Sequence, residues 1–167
     1  MKNIPYGHQW IDESDIEEVV KTLSSDWLTQ GPKIKEFEEA LSKLTGARYV
    51  IAVSNGTAAL HLAAMAAGIK DGDELITSPL TFVASANCAL YCGAKPVFVD
   101  IEADTGNIDA SKIAAKITKK TKVLIPVHFS GHPCDLESIS KLAKKNNLIL
   151  IEDAAHAVGS SYKNSKI

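Results

Sequence analysis

Apolar positions recur at helical spacing in the N-terminal part of the chain and fall into short unbroken runs after it. Over 12–25, DESDIEEVVKTLSS, residues Ile16, Val19, Val20 and Leu23 mark one face of a helix. Asp12 is its expected N-cap, and acids in the first turn suit the positive end of the helix dipole. DWLTQG interrupts the pattern. A second helix is predicted over PKIKEFEEALSKLTG, with Pro32 early and Gly46 at its C-terminal stop. Beyond it, strand and helix patterns alternate. YVIAV (49–53) predicts a strand, TAALHLAAMAAG a helix, ELIT (74–77) a strand and TFVASANCALYCG a helix. KPVFVD, KVLIPV and LILIE then predict strands separated by helices over 109–117 and 135–145. GSSYKNSKI reads as the opening of a hairpin or a further strand.

These strands are apolar along their whole length and do not alternate, which suits a parallel sheet covered on both faces. The expected class is therefore α/β, a three-layer sandwich around a mostly parallel sheet. No internal repeat or low-complexity linker divides it.

Composition narrows the function. The 167 residues suffice for a domain with a sizeable core, and 46% hydrophobic with 23% charged residues is an ordinary globular balance. A formal charge of −2, with Arg48 the sole arginine and the lysines dispersed, makes no case for nucleic acid. No apolar run is long enough to span a bilayer and no signal-peptide core follows Met1, so a cytoplasmic protein without membrane contact is expected. Cys88, Cys92 and Cys134 form no C-x-x-C. Reduced, buried thiols are expected, and no metal site.

Ligands of open α/β sheets bind outside the carboxyl ends of the strands. In VSNGTAAL, Gly56 would let a ligand approach the backbone, and the free N–H groups at the helix start would bind phosphate. Ser54 or Thr57 could equally be capping its own helix. Neither G-x-x-x-x-G-K-[ST] nor G-x-G-x-x-G occurs, so the common nucleotide loops are excluded. In SPLTFVASAN, Phe82 falls in the first turn of a helix, where an aromatic either stacks on a flat ligand or joins the core. In HFSGHPCD, His128, His132 and Asp135 pose a metal set against a turn capped by Asp135; Gly131 and Pro133 favour the turn. LILIEDAAHAVGSSY ends an apolar strand on Glu152 and Asp153, with His156 just beyond. The acid could be a helix cap, a metal ligand or the partner of a heterocycle. A phosphate loop, an aromatic and a strand-end carboxylate together suit pyridoxal 5′-phosphate (PLP), whose ring nitrogen a carboxylate keeps protonated.

The stretches LTQGPKIKEFEEAL, SNGTAAL, TSPLTFVASAN, GAKPVFVDI, GNID (106–109) and EDAAHAVGSSY resemble the DegT/DnrJ/EryC1/StrS sugar aminotransferases, which have the aspartate aminotransferase fold. The resemblance implies that 31–167 is an incomplete large PLP-binding domain and 1–30 an N-terminal helical arm. It implies that Gly56 and Thr57 bind the cofactor phosphate, Phe82 stacks on the ring, Asp153 pairs with the ring nitrogen and His156 with the phenolic oxygen. Many relatives carry Gln where His156 stands; both donate a hydrogen bond. Tyr6 and the segment Asp26, Trp27, Leu28, Thr29 would lie along the sugar-nucleotide site. The implied substrates are a UDP-linked 4-keto-6-deoxy sugar and L-glutamate, and the implied assembly is a homodimer. The Schiff-base lysine is expected beyond Ile167, since Lys163 and Lys166 lie too close to Asp153, in the expected hairpin. The chain by itself is therefore expected to be inactive, and to fold poorly. A non-catalytic protein sensing a cofactor or nucleotide sugar on the same fold is the competing reading.

Overall fold

The computed structural model describes residues 7–167, and its helices begin where the sequence supplies caps. α1 (Glu13–Leu23) starts at Asp12, whose carboxylate accepts from the N–H groups of Ser14 and Asp15 while the Asp15 side chain accepts from the Asp12 N–H. α2 (Pro32–Thr45) opens on proline and is followed by Gly46 at φ +77°. α3 (Gly56–Ala66) is capped by Asn55, whose side-chain oxygen accepts from the Ala58 N–H. The cap is therefore neither Ser54 nor Thr57, which leaves Thr57 inside the first turn. α4 (Ala84–Tyr91) has no side-chain cap. α5 (Ala110–Ile113) runs on into a 3₁₀ turn (Ala114–Lys116), and α6 (Leu136–Lys145) completes the set. Asp109 and Asp135 cap α5 and α6 through the N–H groups of Ser111 and Ser138.

Four strands form one sheet: β1 (Glu74–Thr77), β2 (Lys95–Phe98), β3 (Thr121–Ile125) and β4 (Ile149–Leu150), in the order β2-β1-β3-β4. Every pairing is parallel, with Ile76 opposite both Val97 and Leu124. Pro96 is tolerated because β2 is an edge strand. Successive strand residues point to opposite layers. Leu75, Val123 and Ile125 pack with Ala64, Cys88 and Ala89 of α3 and α4, whereas Ile76 and Leu124 pack with Ile113 and Ile139 of α5 and α6. This is the α/β three-layer sandwich, and apolar runs were the right signal for it.

Two strands depart from expectation. Residues 49–53 form none, and Tyr49 and Ile51 are 76% and 80% exposed. A strand exists only against a neighbour that takes its backbone groups; here the Ala52 N–H donates instead to the Glu38 carboxylate at 2.8 Å. LILIE pairs only over Ile149–Leu150, with an isolated parallel bridge joining Asp153 to Val127 further on. The expected hairpin is present as β5 (Ser161–Tyr162) and β6 (Ser165–Lys166), antiparallel, with Lys163 and Asn164 both at positive φ in the two-residue turn.

The chain gathers into two compact units. One holds residues 1–43 and 47–52; the other holds 44–46 and 53–167. Residues 7–30 thus share their unit with most of α2, and the sheet with α3–α6 lies in the second unit.

Candidate active site

The sheet order sets where the second unit can bind a ligand. From β1 the chain moves outward through α4 to β2, and from β3 it moves the other way through α6 to β4. The carboxyl ends of β1 and β3 therefore flank a switch point, where helices leave in opposite directions and open a crevice. Asp153 is pinned beside it. Its N–H donates to the Pro126 carbonyl at 3.0 Å and its carbonyl accepts from the His128 N–H at 3.1 Å, so the backbone is gripped on both sides by the continuation of β3. The side chain is 8% exposed. Oδ2 accepts from the buried Ser85 hydroxyl at 2.6 Å, and Oδ1 accepts only a long 3.3 Å bond from the Ala155 N–H.

Glu152, one residue earlier, goes elsewhere. Its Oε2 lies 3.1 Å from His128 Nε2, while His128 Nδ1 accepts from the Cys134 N–H at 3.0 Å. Nδ1 is thus the unprotonated nitrogen of a neutral ring, and Nε2 donates to Glu152. The paired acids have separate duties. The loop after β3 is locked by further contacts that the sequence did not advertise. Asn107, 2% exposed, accepts from the Phe129 N–H at 2.9 Å and donates to the His132 carbonyl at 3.0 Å. Gly131 sits at φ +83°, with room for no Cβ: the atom would fall 2.8 Å from the His156 carbonyl oxygen.

A cavity of about 210 Å³ brings Gly56 and Asp153 together, with Ala59, Leu60, Ile151 and Ala155 on its walls. A Cβ on Gly56 would meet nothing within 4 Å, so the backbone there is open to a ligand. The N–H groups of Gly56 and Thr57 have no acceptor among the described residues, as the first turn of a helix requires. Phe82 lies two residues before α4, not in its first turn as expected, and is 71% exposed. Its carbonyl is 3.2 Å from the same Ser85 hydroxyl that holds Asp153. His156 is exposed, three residues past Asp153. In the other unit, Asp26, Trp27, Leu28 and Thr29 form an exposed segment between α1 and α2, and a Cβ on Gly31 would fall 2.9 Å from Trp27 Cβ. Tyr6 lies outside the described residues.

No metal cluster exists among the described residues. His128 contacts the Glu152 carboxylate and the Cys134 N–H, and Asp135 caps α6. Burial pushes the Cys88 thiol up to about 11 and the Cys134 thiol up to about 12, which keeps both protonated. Among the described residues no helix is long and apolar enough to cross a membrane.

The donor set fits PLP. Open helix N–H groups suit a phosphate, and a buried, acceptor-only carboxylate with a spare oxygen suits a protonated ring nitrogen. Fold and crevice together define a PLP-binding large domain of the aminotransferase kind. The chain belongs to the DegT/DnrJ/EryC1/StrS aminotransferase family, which it matches over residues 9–167. It is 45% identical over 157 residues to GDP-perosamine synthase of Caulobacter vibrioides, covering 93% of this chain and 42% of that protein. A putative sugar aminotransferase of Streptococcus pneumoniae in its PLP form superimposes with a TM-score of 0.89 at 38% identity, over 98% of this chain and 46% of the other. Helicobacter pylori PseC, an aminotransferase of pseudaminic acid biosynthesis, superimposes with a TM-score of 0.90 at 35% identity, over 99% and 45% respectively. The chain spans about two fifths of the length of the curated relatives it matches. The family's cofactor is PLP.

Proposed function

We propose that the whole protein transfers the amino group of L-glutamate to the C4 ketone of a UDP-linked 4-keto-6-deoxy amino sugar, in nucleotide-sugar synthesis of the pseudaminic acid type. Residues 31–167 contribute part of the large PLP-binding domain and 1–30 an arm. The observation that carries the reading is Asp153: a carboxylate fixed through its own backbone at a strand end, with one oxygen held only by a long bond from the Ala155 N–H, on the cavity that Gly56 opens. When bound, PLP supplies an electron sink for the carbanion formed at the amino-bearing carbon.

The residues divide the remaining work. The N–H groups of Gly56 and Thr57 bind the phosphate at the positive end of α3. Phe82 covers one face of the ring. Asp153 holds a proton on the ring nitrogen, its buried setting strengthening the pairing. His156 donates to the ring's hydroxyl oxygen and keeps the ring from turning. Lys163, which pairs with Glu137, and Lys166, which donates to the Gly159 carbonyl, lie in and beside the turn of the β5–β6 hairpin, close in sequence to Asp153, and neither is assigned as the Schiff-base lysine. Tyr6 and Asp26–Thr29 contact the sugar nucleotide, an assignment that rests on the family resemblance. The protein is a cytoplasmic homodimer, the compartment being that of its nucleotide-sugar substrates.

The pseudaminic-type reading draws on the likeness to PseC, and the UDP preference on MKNIPYG…WLTQG and TFVASAN, which resemble the UDP-sugar 4-amino transaminases of that kind. The likeness to GDP-perosamine synthase puts GDP-linked sugars in competition. Assay of the full-length protein with L-glutamate against UDP-, GDP- and dTDP-linked 4-keto-6-deoxy sugars decides it. Amination of the UDP sugar with the highest kcat/KM is expected. A preference for either other nucleotide would overturn the substrate assignment, and no amination of any would overturn the enzyme reading.

A further inference from the structure

Among the described residues, Ser85 is the one side chain that hydrogen-bonds Asp153, and nothing in its local sequence marks it. It is fully buried on the first turn of α4, and its hydroxyl spans 68 positions of sequence to meet Oδ2 at 2.6 Å. Its own oxygen lies 2.7 Å from the Thr81 hydroxyl. An ionised carboxylate donates nothing, so Ser85 must donate to Asp153, and its oxygen is left to accept from Thr81. The Phe82 carbonyl, at 3.2 Å, is the more distant acceptor for the same proton. The result is a directed relay, Thr81 to Ser85 to Asp153, anchored on the helix that follows β1.

We propose that Ser85 is a positioning residue for the cofactor's ring nitrogen. It turns the carboxylate so that Oδ1 is the oxygen presented to the ring, with Thr81 orienting Ser85 in turn. This rests on the PLP reading of Asp153. A short hydrogen bond from a hydroxyl stabilises negative charge on a carboxylate. Without it, the shared proton moves from the ring nitrogen toward the carboxylate, and the ring loses its positive charge. Holding one carboxylate oxygen also fixes the plane of the group, so that the other oxygen keeps one direction.

The test uses the full-length protein loaded with PLP labelled with ¹⁵N in the ring. The nitrogen's chemical shift reports its protonation directly, without reference to turnover. Wild type is expected to show a protonated nitrogen through the neutral range, and Asp153→Asn an unprotonated one. Ser85→Ala preserves helix propensity and removes only the hydroxyl. It should lower the pH at which the nitrogen deprotonates by one unit or more and reduce kcat about 10- to 100-fold, with KM for L-glutamate within about twofold. Thr81→Val should shift the same titration in the same direction by less, and Ser85→Thr should restore it toward wild type. A Ser85→Ala titration superimposable on wild type, with Asp153→Asn behaving as expected, would overturn the positioning role alone. If wild type bound no PLP, or Asp153→Asn left the nitrogen unchanged, the cofactor reading would fall and the role of Ser85 with it.

Discussion

Asp153 shows what a strand end achieves that a loop would not. Two backbone hydrogen bonds to the continuation of β3 fix its Cα, and Ser85 fixes its carboxylate, so little freedom remains to misplace the charge. Replacing it with Asn keeps the shape and removes the charge. Each pKa unit lost at the ring nitrogen is worth about 1.4 kcal/mol, so Asp153→Asn should cut the turnover of the full-length enzyme by orders of magnitude while PLP still binds through its phosphate. Near-normal turnover would reduce the carboxylate to a structural cap. Gly131 is a second sensitive position, because a side chain there meets a backbone carbonyl and a left-handed φ at once. Gly131→Ala should destabilise the full-length protein by about 2 kcal/mol or more, read as a lowered melting temperature. The thiols make a third case. With burial raising both, Cys88 and Cys134 should resist alkylation at pH 8 in the folded protein while the half-buried Cys92 reacts, as peptide mass spectrometry would resolve. At this scale the sequence identified Gly56 and Asp153, now found on one cavity, because helix starts and strand ends carry local signals. Ser85 and Asn107 escaped notice because their partners lie far along the chain, and such pairing leaves no periodicity to read.

The elements were legible in proportion to how much of their stability is local. Every helix with a side-chain cap lies where an Asp or Asn announced it, although at α3 the cap is Asn55, between the candidates the sequence offered. Strands are different, since pairing decides them. ELIT and KVLIPV form central strands because each has a neighbour on both sides; YVIAV is as apolar and forms none, since no strand among the described residues pairs with it. The alternation of Ile76 and Leu124 toward α5 and α6, against Leu75 and Val123 toward α3 and α4, ties the layers together across the sheet. Leu124→Ala, at a fully buried position of β3, should therefore cost about 2–5 kcal/mol in denaturant unfolding of the full-length protein. A loss below about 1 kcal/mol would mean that the layer under α5 and α6 is loosely packed.

As a molecule, residues 1–167 carry more exposed apolar surface than a solvated chain tolerates. Trp10, Ile51, Trp27, Leu28, Phe37 and Val158 are each more than half exposed, alongside others on α1 and α3. Residues 1–167, produced alone, should therefore self-associate and show no cooperative thermal transition by calorimetry. A monomeric species with a sharp transition would contradict it. The same segment within the whole protein should bind PLP and do chemistry. The most direct measurement mixes PLP-loaded full-length protein with L-glutamate and no sugar acceptor, then quantifies 2-oxoglutarate. One equivalent should be released per active site and then no more, because the amino group has nowhere further to go. PLP bound at full occupancy, with no 2-oxoglutarate formed, would contradict the aminotransferase reading and leave a protein that senses its cofactor without using it.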